Sequence, residues 1–243
     1  MQYHDPLEHI GLLKHELEQC ISQGWGLHKF YALLQALYNA TENDEQQHYA
    51  ALNSSHNNLL TMAIDRKLAS FVYALLQAKA DPQFVDEKRV SPLNRACWER
   101  SAIVNPPPNS HSWCTEIPQM LLHFKADVNA LDGNRVTPLF IAVKYGNTDL
   151  WKLLLAQRDA DPLVVCEPSR GQDGESKPMT AVDLAREMVL DPEDAFSYAQ
   201  STSAAHFLQA VGTKYLQNVM HEYFDGTLHG HAMHTEDQPL MNP

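Results

Sequence analysis

The sequence lacks any apolar run approaching the roughly 18 residues that a membrane-spanning helix needs, so no segment reads as crossing a bilayer. Basic residues are scarce as well. Eighteen lysines and arginines stand against 30 aspartates and glutamates, a formal net charge of −12 over 243 residues. Affinity for nucleic acid comes largely from cations that displace counterions from phosphate, and an acid excess opposes it. Adsorption to anionic lipid is disfavoured for the same reason. Neither nucleic acid nor membrane is therefore expected as a partner, whereas basic or apolar protein surfaces are what such a field draws inward. The four cysteines, Cys20, Cys97, Cys114 and Cys166, are widely separated and form no Cys-x-x-Cys pair. That scatter suits a reduced compartment, the cytoplasm, better than a disulfide framework or a zinc site. Met1 to Gly11 has no basic stretch followed by an apolar one, so no cleaved secretory signal is expected.

Catalytic signatures are missing too. There is no His-Glu-x-x-His, no glycine-rich phosphate loop and no Gly-x-Ser-x-Gly elbow. No enzymatic activity, cofactor or small-molecule substrate is expected. Thirteen histidines raise the question of a metal, and the sharpest cluster is His229, His231 and His234, with His221 and Glu222 nearby. Imidazoles at this spacing could share zinc or copper, which would make a metalloenzyme the remote alternative. The cluster lies in a tail with no core to orient it, and oriented ligands are what make a metal site specific. A solvated tail without metal is the expectation. Cys97 falls on the inner side of a helical segment, where a buried, inert thiol is expected rather than a nucleophile.

What the chain does contain is self-similarity. Ser91-Pro92-Leu93-Asn94-Arg95-Ala96 aligns with Thr137-Pro138-Leu139-Phe140-Ile141-Ala142 and with Thr180-Ala181-Val182-Asp183-Leu184-Ala185. Asn58-Leu59-Leu60-Thr61-Met62-Ala63 is a weaker copy. Each begins with a residue able to cap a helix by accepting from free backbone N–H groups. Two then have proline, at a helix position where a missing N–H costs nothing. A second landmark pairs Leu75 to Asp81 with Leu121 to Asp127, and Leu153-Leu154-Leu155 leading to Ala160-Asp161 is a third copy. Asn58 and Ser91 are 33 residues apart, whereas the next two steps are 46 and 43. The excesses fall where loops are expected.

A 33-residue unit of two helices and a turn is the ankyrin period, and the stretch from Asp127-Val128-Asn129-Ala130 through Thr137-Pro138-Leu139 to Gly146-Asn147 resembles a near-consensus ankyrin repeat. The resemblance covers about residues 57 to 190. It implies an all-α solenoid of helix pairs with projecting β-hairpin fingers and helical caps at both ends. Two departures stand out. The family's histidine after Pro-Leu is replaced by Asn94, Phe140 or Asp183. The glycine two residues before the threonine is replaced by Arg89 or Arg135, which puts the finger turns in question. Leu121 followed after five residues by Asp127-Val128-Asn129 also resembles an asparagine-hydroxylation motif of the family, although most copies carry that asparagine for a bond across the hairpin.

This reading divides the chain into an N-terminal helical cap or small helical module over 1–56, about four repeats over 57–190, C-terminal capping helices over 191–228 and a flexible tail over 229–243. Leu7, Ile10, Leu13, Leu17 and Ile21 mark an amphipathic helix. Gly24-Trp25-Gly26 breaks it before a second helix from Leu27 to Tyr38. Toward the other end, Phe196, Phe207, Leu208, Val211, Leu216 and Val219 read as the last repeat's second helix plus capping helices. Insertions are expected at 98–116, with Pro106-Pro107-Pro108 and Trp113, and at 163–178, within a finger.

The resemblance implies binding of a protein partner through the concave face. The expected contact residues on the fingers are Glu87, Lys88, Val90, Gly133, Asn134, Val136, Lys177 and Met179. On the exposed side of first helices they are Trp98, Glu99, Lys144 and Tyr145. The alternative is an adaptor or secreted effector whose helical flanks recruit a second factor, since short ankyrin proteins with irregular insertions resemble those that intracellular bacteria deliver into the host cytoplasm.

Overall fold

A computed structural model describes residues 6–41, 44–53, 58–101, 113–168, 177–190 and 198–224. Each repeated motif opens a helix in the way its residue types dictate. Asn58, Thr137 and Thr180 accept from the backbone N–H three residues on, at 3.1 Å in each case, and Ser91 does so at 3.2 Å. The first helices that follow are α4 (Leu59–Asp65), α6 (Pro92–Ser101), α8 (Pro138–Lys144) and α10 (Ala181–Leu190). Their partners are α5 (Ala69–Gln77), α7 (Trp113–His123), α9 (Thr148–Leu155) and α11 (Tyr198–Phe224). Before them come α1 (Pro6–Gln23), α2 (Leu27–Ala40) and the short α3 (Glu45–Leu52).

The helices form two rows. The first helices pack on one another in the order α4, α6, α8, α10, and the second helices in the order α5, α7, α9, α11. The N-terminal pair extends both rows, because α1 lies against α4 and α2 against α5. One apolar core runs the length of the stack, from Leu17, Ile21 and Phe30 through Leu60, Leu75, Leu93 and Leu139 to Trp151 and Phe207. Small residues at Ala63, Ala96, Ala142 and Ala185, all buried, allow the close helix approach.

Two flanking expectations differ in detail. Ile10, Leu13, Leu17 and Ile21 of α1 are buried, but Leu7 is exposed, one turn before the helix meets its neighbours. The C-terminal region forms one continuous helix across residues 198–224 instead of several. No proline interrupts it and Gly212 alone does not stop it. Phe207 is buried, whereas Leu216 is exposed. Phe196, Pro106 to Pro108 and the tail histidines lie outside the described residues.

The fingers are tight turns organised by an aspartate. Asp86 and Asp132 each accept the backbone N–H of the residue three positions on through their carbonyl, at 2.9 and 2.8 Å. Through their carboxylates they hold the N–H groups two and four positions on, at 2.8–3.0 Å. This bonding keeps Arg89 and Arg135 at φ +58° and +54°, the left-handed region that glycine enters freely and other residues enter at a cost. Each turn thus places a residue with a Cβ in a strained, left-handed conformation where the family has glycine. Asn94, standing where the family has histidine, ties its helix to the next finger, its amide donating to Ala130 O and Val136 O at 3.0 Å each. The third finger closes on an antiparallel bridge between Cys166 and Met179. Among the described residues there is no extended strand, and no helix is long and apolar enough to cross a membrane.

Candidate protein-binding face

The fingers and first helices share one side of the stack, and its centre is aromatic. Trp98, near the end of α6, is half-buried. Its indole N–H donates to the Asp132 carboxylate of the next finger at 2.8 Å. Its ring meets Tyr145, which ends α8, edge to face at 5.8 Å between centroids. The Lys144 ammonium stands 5.7 Å from the Tyr145 ring centroid. Beside this pair lies a recess of about 170 Å³, lined among others by Trp98, Asn134, Phe140, Lys144 and Pro168. The motif register alone puts Trp98 and Tyr145 one layer apart. The structure adds that they touch, and that Trp98 is locked to the neighbouring finger.

Other expected contact residues separate into distinct environments. Glu87 and Lys88 are exposed at the first finger tip and Val90 is half-buried. Lys144 and Tyr145 are half-buried, and Asn134 and Lys177 are exposed. The Glu99 side chain lies outside the described residues. Two expectations of surface exposure are corrected. Val136 and Met179 are each only 3% accessible. Val136 follows the left-handed residue of its turn, so its side chain points under the finger while its carbonyl receives Asn94. Met179 is drawn inward by pairing with Cys166 on both backbone groups at 2.9 Å. Gly133 is exposed, yet its place is dictated by packing. A Cβ added there would sit 2.1 Å from the Lys88 carbonyl oxygen of the preceding finger.

Sequence reasoning missed a row of aliphatic residues along the finger edges. Val85, Leu131 and Val165 occupy the same position in three successive fingers, directly before Asp86, Asp132 and Cys166, and they are 49%, 40% and 53% exposed. The signal was present as an aliphatic residue before each finger corner, but no single copy distinguishes it from a core position. Between the first fingers and helices, Arg95 forms a bidentate pair with Asp65 and reaches Asp86 at 2.9 Å. The pairs Arg135–Glu167 and Lys177–Glu187, at 3.0 and 3.4 Å, are largely solvated and contribute little to stability.

Outside this face, three described cysteines and Asn129 have defined surroundings. Cys97 is fully buried, and burial alone pushes its thiol far above the ordinary range. Burial also raises the thiols of Cys20 and Cys166. Asn129 donates to Asp159 O at 2.7 Å and accepts from Asp161 N at 3.0 Å, so both ends of its amide bind the next repeat. Among the described residues no three His, Cys, Asp or Glu side chains converge as a metal site.

A stack of helix pairs whose turns project as fingers along one edge defines a helical repeat protein. The family model of the ankyrin repeat matches residues 134–167, the stretch from the second finger through α8 and α9 to the third finger, and the described stack is consistent with an all-α ankyrin-repeat solenoid. No curated protein matches the sequence.

Proposed function

We propose that this protein binds a protein partner across its finger tips and first helices, with Trp98 and Tyr145 at the centre. The observation that carries the reading is the aromatic pair beside an open recess, on a face that the fingers also border. Trp98 is already held by Asp132 and Tyr145, so little side-chain entropy is lost when a partner covers it. Tryptophan and tyrosine are the residue types that dominate interface energies. The aliphatic row of Val85, Leu131 and Val165 extends the apolar area along the fingers. Lys88 and Lys144 supply cations at its border.

The protein acts in this reading as a scaffold without catalysis, in a reducing compartment such as the cytoplasm. The buried thiols of Cys20, Cys97 and Cys166, none of them bridged, support that placement. The test is affinity capture from a lysate, followed by calorimetry of the captured partner against Trp98→Ala and Tyr145→Ala. Each variant is expected to lose at least about 1–2 kcal/mol of binding. Because the rings touch, the double variant should lose less than the sum. Unchanged affinity in both single variants would move the interface off this face.

A further inference from the structure

A second surface lies on the opposite row of helices. Between α9 and α11 runs an open groove of about 790 Å³, floored by Trp151 and Leu155. Trp151 is itself fixed, its indole donating to the Ser203 hydroxyl at 3.0 Å and its ring meeting Phe207 edge to face. The wall from α11 consists of His206, Gln209, Ala210, Thr213, Lys214 and Gln217. That spacing is one uninterrupted helical stripe three turns long, about 16 Å at 1.5 Å per residue. The facing wall carries Lys152 and Arg158.

The charge of this groove runs against that of the molecule. Its lining holds three cations and no carboxylate, in a chain of formal net charge −12. Lys214 is engaged, its ammonium donating to the carbonyls of Leu155, Gln157 and Ala160 at 2.7, 2.8 and 3.3 Å. Asp159 and Asp161 stand near that end. Lys152 and Arg158 are exposed and form no ion pair with any described residue. Lys152 only leans toward the Trp151 ring, 5.7 Å from its centroid. An apolar floor, amide side chains along one wall and two uncompensated cations on the other match an elongated occupant with one apolar and one anionic face.

We infer that the α9–α11 groove docks an acidic amphipathic peptide segment of a protein partner, its carboxylates meeting Lys152 and Arg158 and its apolar side lying over Leu155, Ala156 and Ala210. This is helix-in-groove recognition, and it is independent of the finger face. A compact anion would use one end of the groove and leave most of the stripe uncovered.

The experiment is fluorescence anisotropy on the full chain with labelled amphipathic peptides of about three helical turns. The peptides share their apolar residues and carry glutamate, glutamine or lysine at the polar positions. The glutamate peptide is expected to bind saturably, more weakly as ionic strength rises, and the lysine peptide not to bind. Lys152→Glu combined with Arg158→Glu should weaken the glutamate peptide by about tenfold or more with an unchanged melting temperature. Trp98→Ala should leave it unaffected, which separates this site from the finger face. Equal binding of all three peptides would overturn the proposal, as would undiminished binding to the charge-reversed variant. Saturable binding of decanoate with no peptide bound would overturn it in favour of a small anionic amphiphile. Should the double variant fail to fold, the comparison of peptides and the salt dependence still decide.

Discussion

At Gly133 two fingers come so close that a hydrogen atom is the only side chain the space admits, with the Lys88 carbonyl oxygen 2.1 Å from where a Cβ would lie. The neighbouring obstacle is backbone, which cannot rotate away as a side chain would. Gly133→Ala should therefore destabilise the protein. Overpacking costs about 1–3 kcal/mol, partly offset by the lower entropy of the unfolded alanine chain, about 0.4–1 kcal/mol. A urea midpoint equal to wild type would show that the two fingers stand further apart in solution. Arg89 and Arg135 present the opposite situation, in which a residue with a Cβ occupies a glycine conformation. There the aspartate at the turn corner supplies the compensating bonds that hold the left-handed residue in place.

The helix α10 shows how an element's end couples to solution conditions. The Asp183 carboxylate accepts from the Thr180 backbone N–H at 3.0 Å and from its hydroxyl at 2.8 Å, while Asp183 N–H donates back to that hydroxyl. The backbone bond, then the hydroxyl bond, holds this carboxyl below its ordinary value of 3.8. A carboxyl depressed in the folded state binds its proton less readily there than in the unfolded chain. Its stabilisation is complete above the unfolded value and is lost as pH falls through the lower folded value. Asp183→Asn keeps the shape but cannot titrate. Its melting temperature should fall less steeply than that of wild type as pH drops below about 4. Parallel curves for the two proteins would remove Asp183 from the acid response.

Across the whole molecule, each helix pair packs on its neighbours, and the N-terminal pair is the first layer of the same stack. Stability in such an array is close to a sum of pair and interface contributions. Leu17 is fully buried in α1, and Leu17→Ala should cost about 2–5 kcal/mol locally. Hydrogen exchange should accelerate most in α1 to α5 and least in α9 to α11. Uniform acceleration along the chain would mean that the stack unfolds as one unit. The same architecture separates two surfaces, fingers with first helices on one side and the groove of second helices on the other. On the two proposed readings, one protein would hold two partners without a conformational switch.

Much of this architecture is legible in local chemistry alone. Asn58, Ser91, Thr137 and Thr180 cap helices because their side chains accept where backbone donors are free, and the recurrence of such starts, with a 33-residue step between the first two, points to a repeated helix pair. The register then puts Trp98 one layer from Lys144, its equivalent in the next repeat, and so one layer from the adjoining Tyr145. Burial within a finger is not legible in this way. Val136 and Val85 are both valines in turns, and only the fold of the turn over Asn94 and Asp86 turns one inward and the other out. The groove has no local signature either, because α9 and α11 are separated in sequence and its charge arises only when their faces meet. Residue type and spacing determine what repeats along a chain; what those repeats enclose between distant segments depends on tertiary packing.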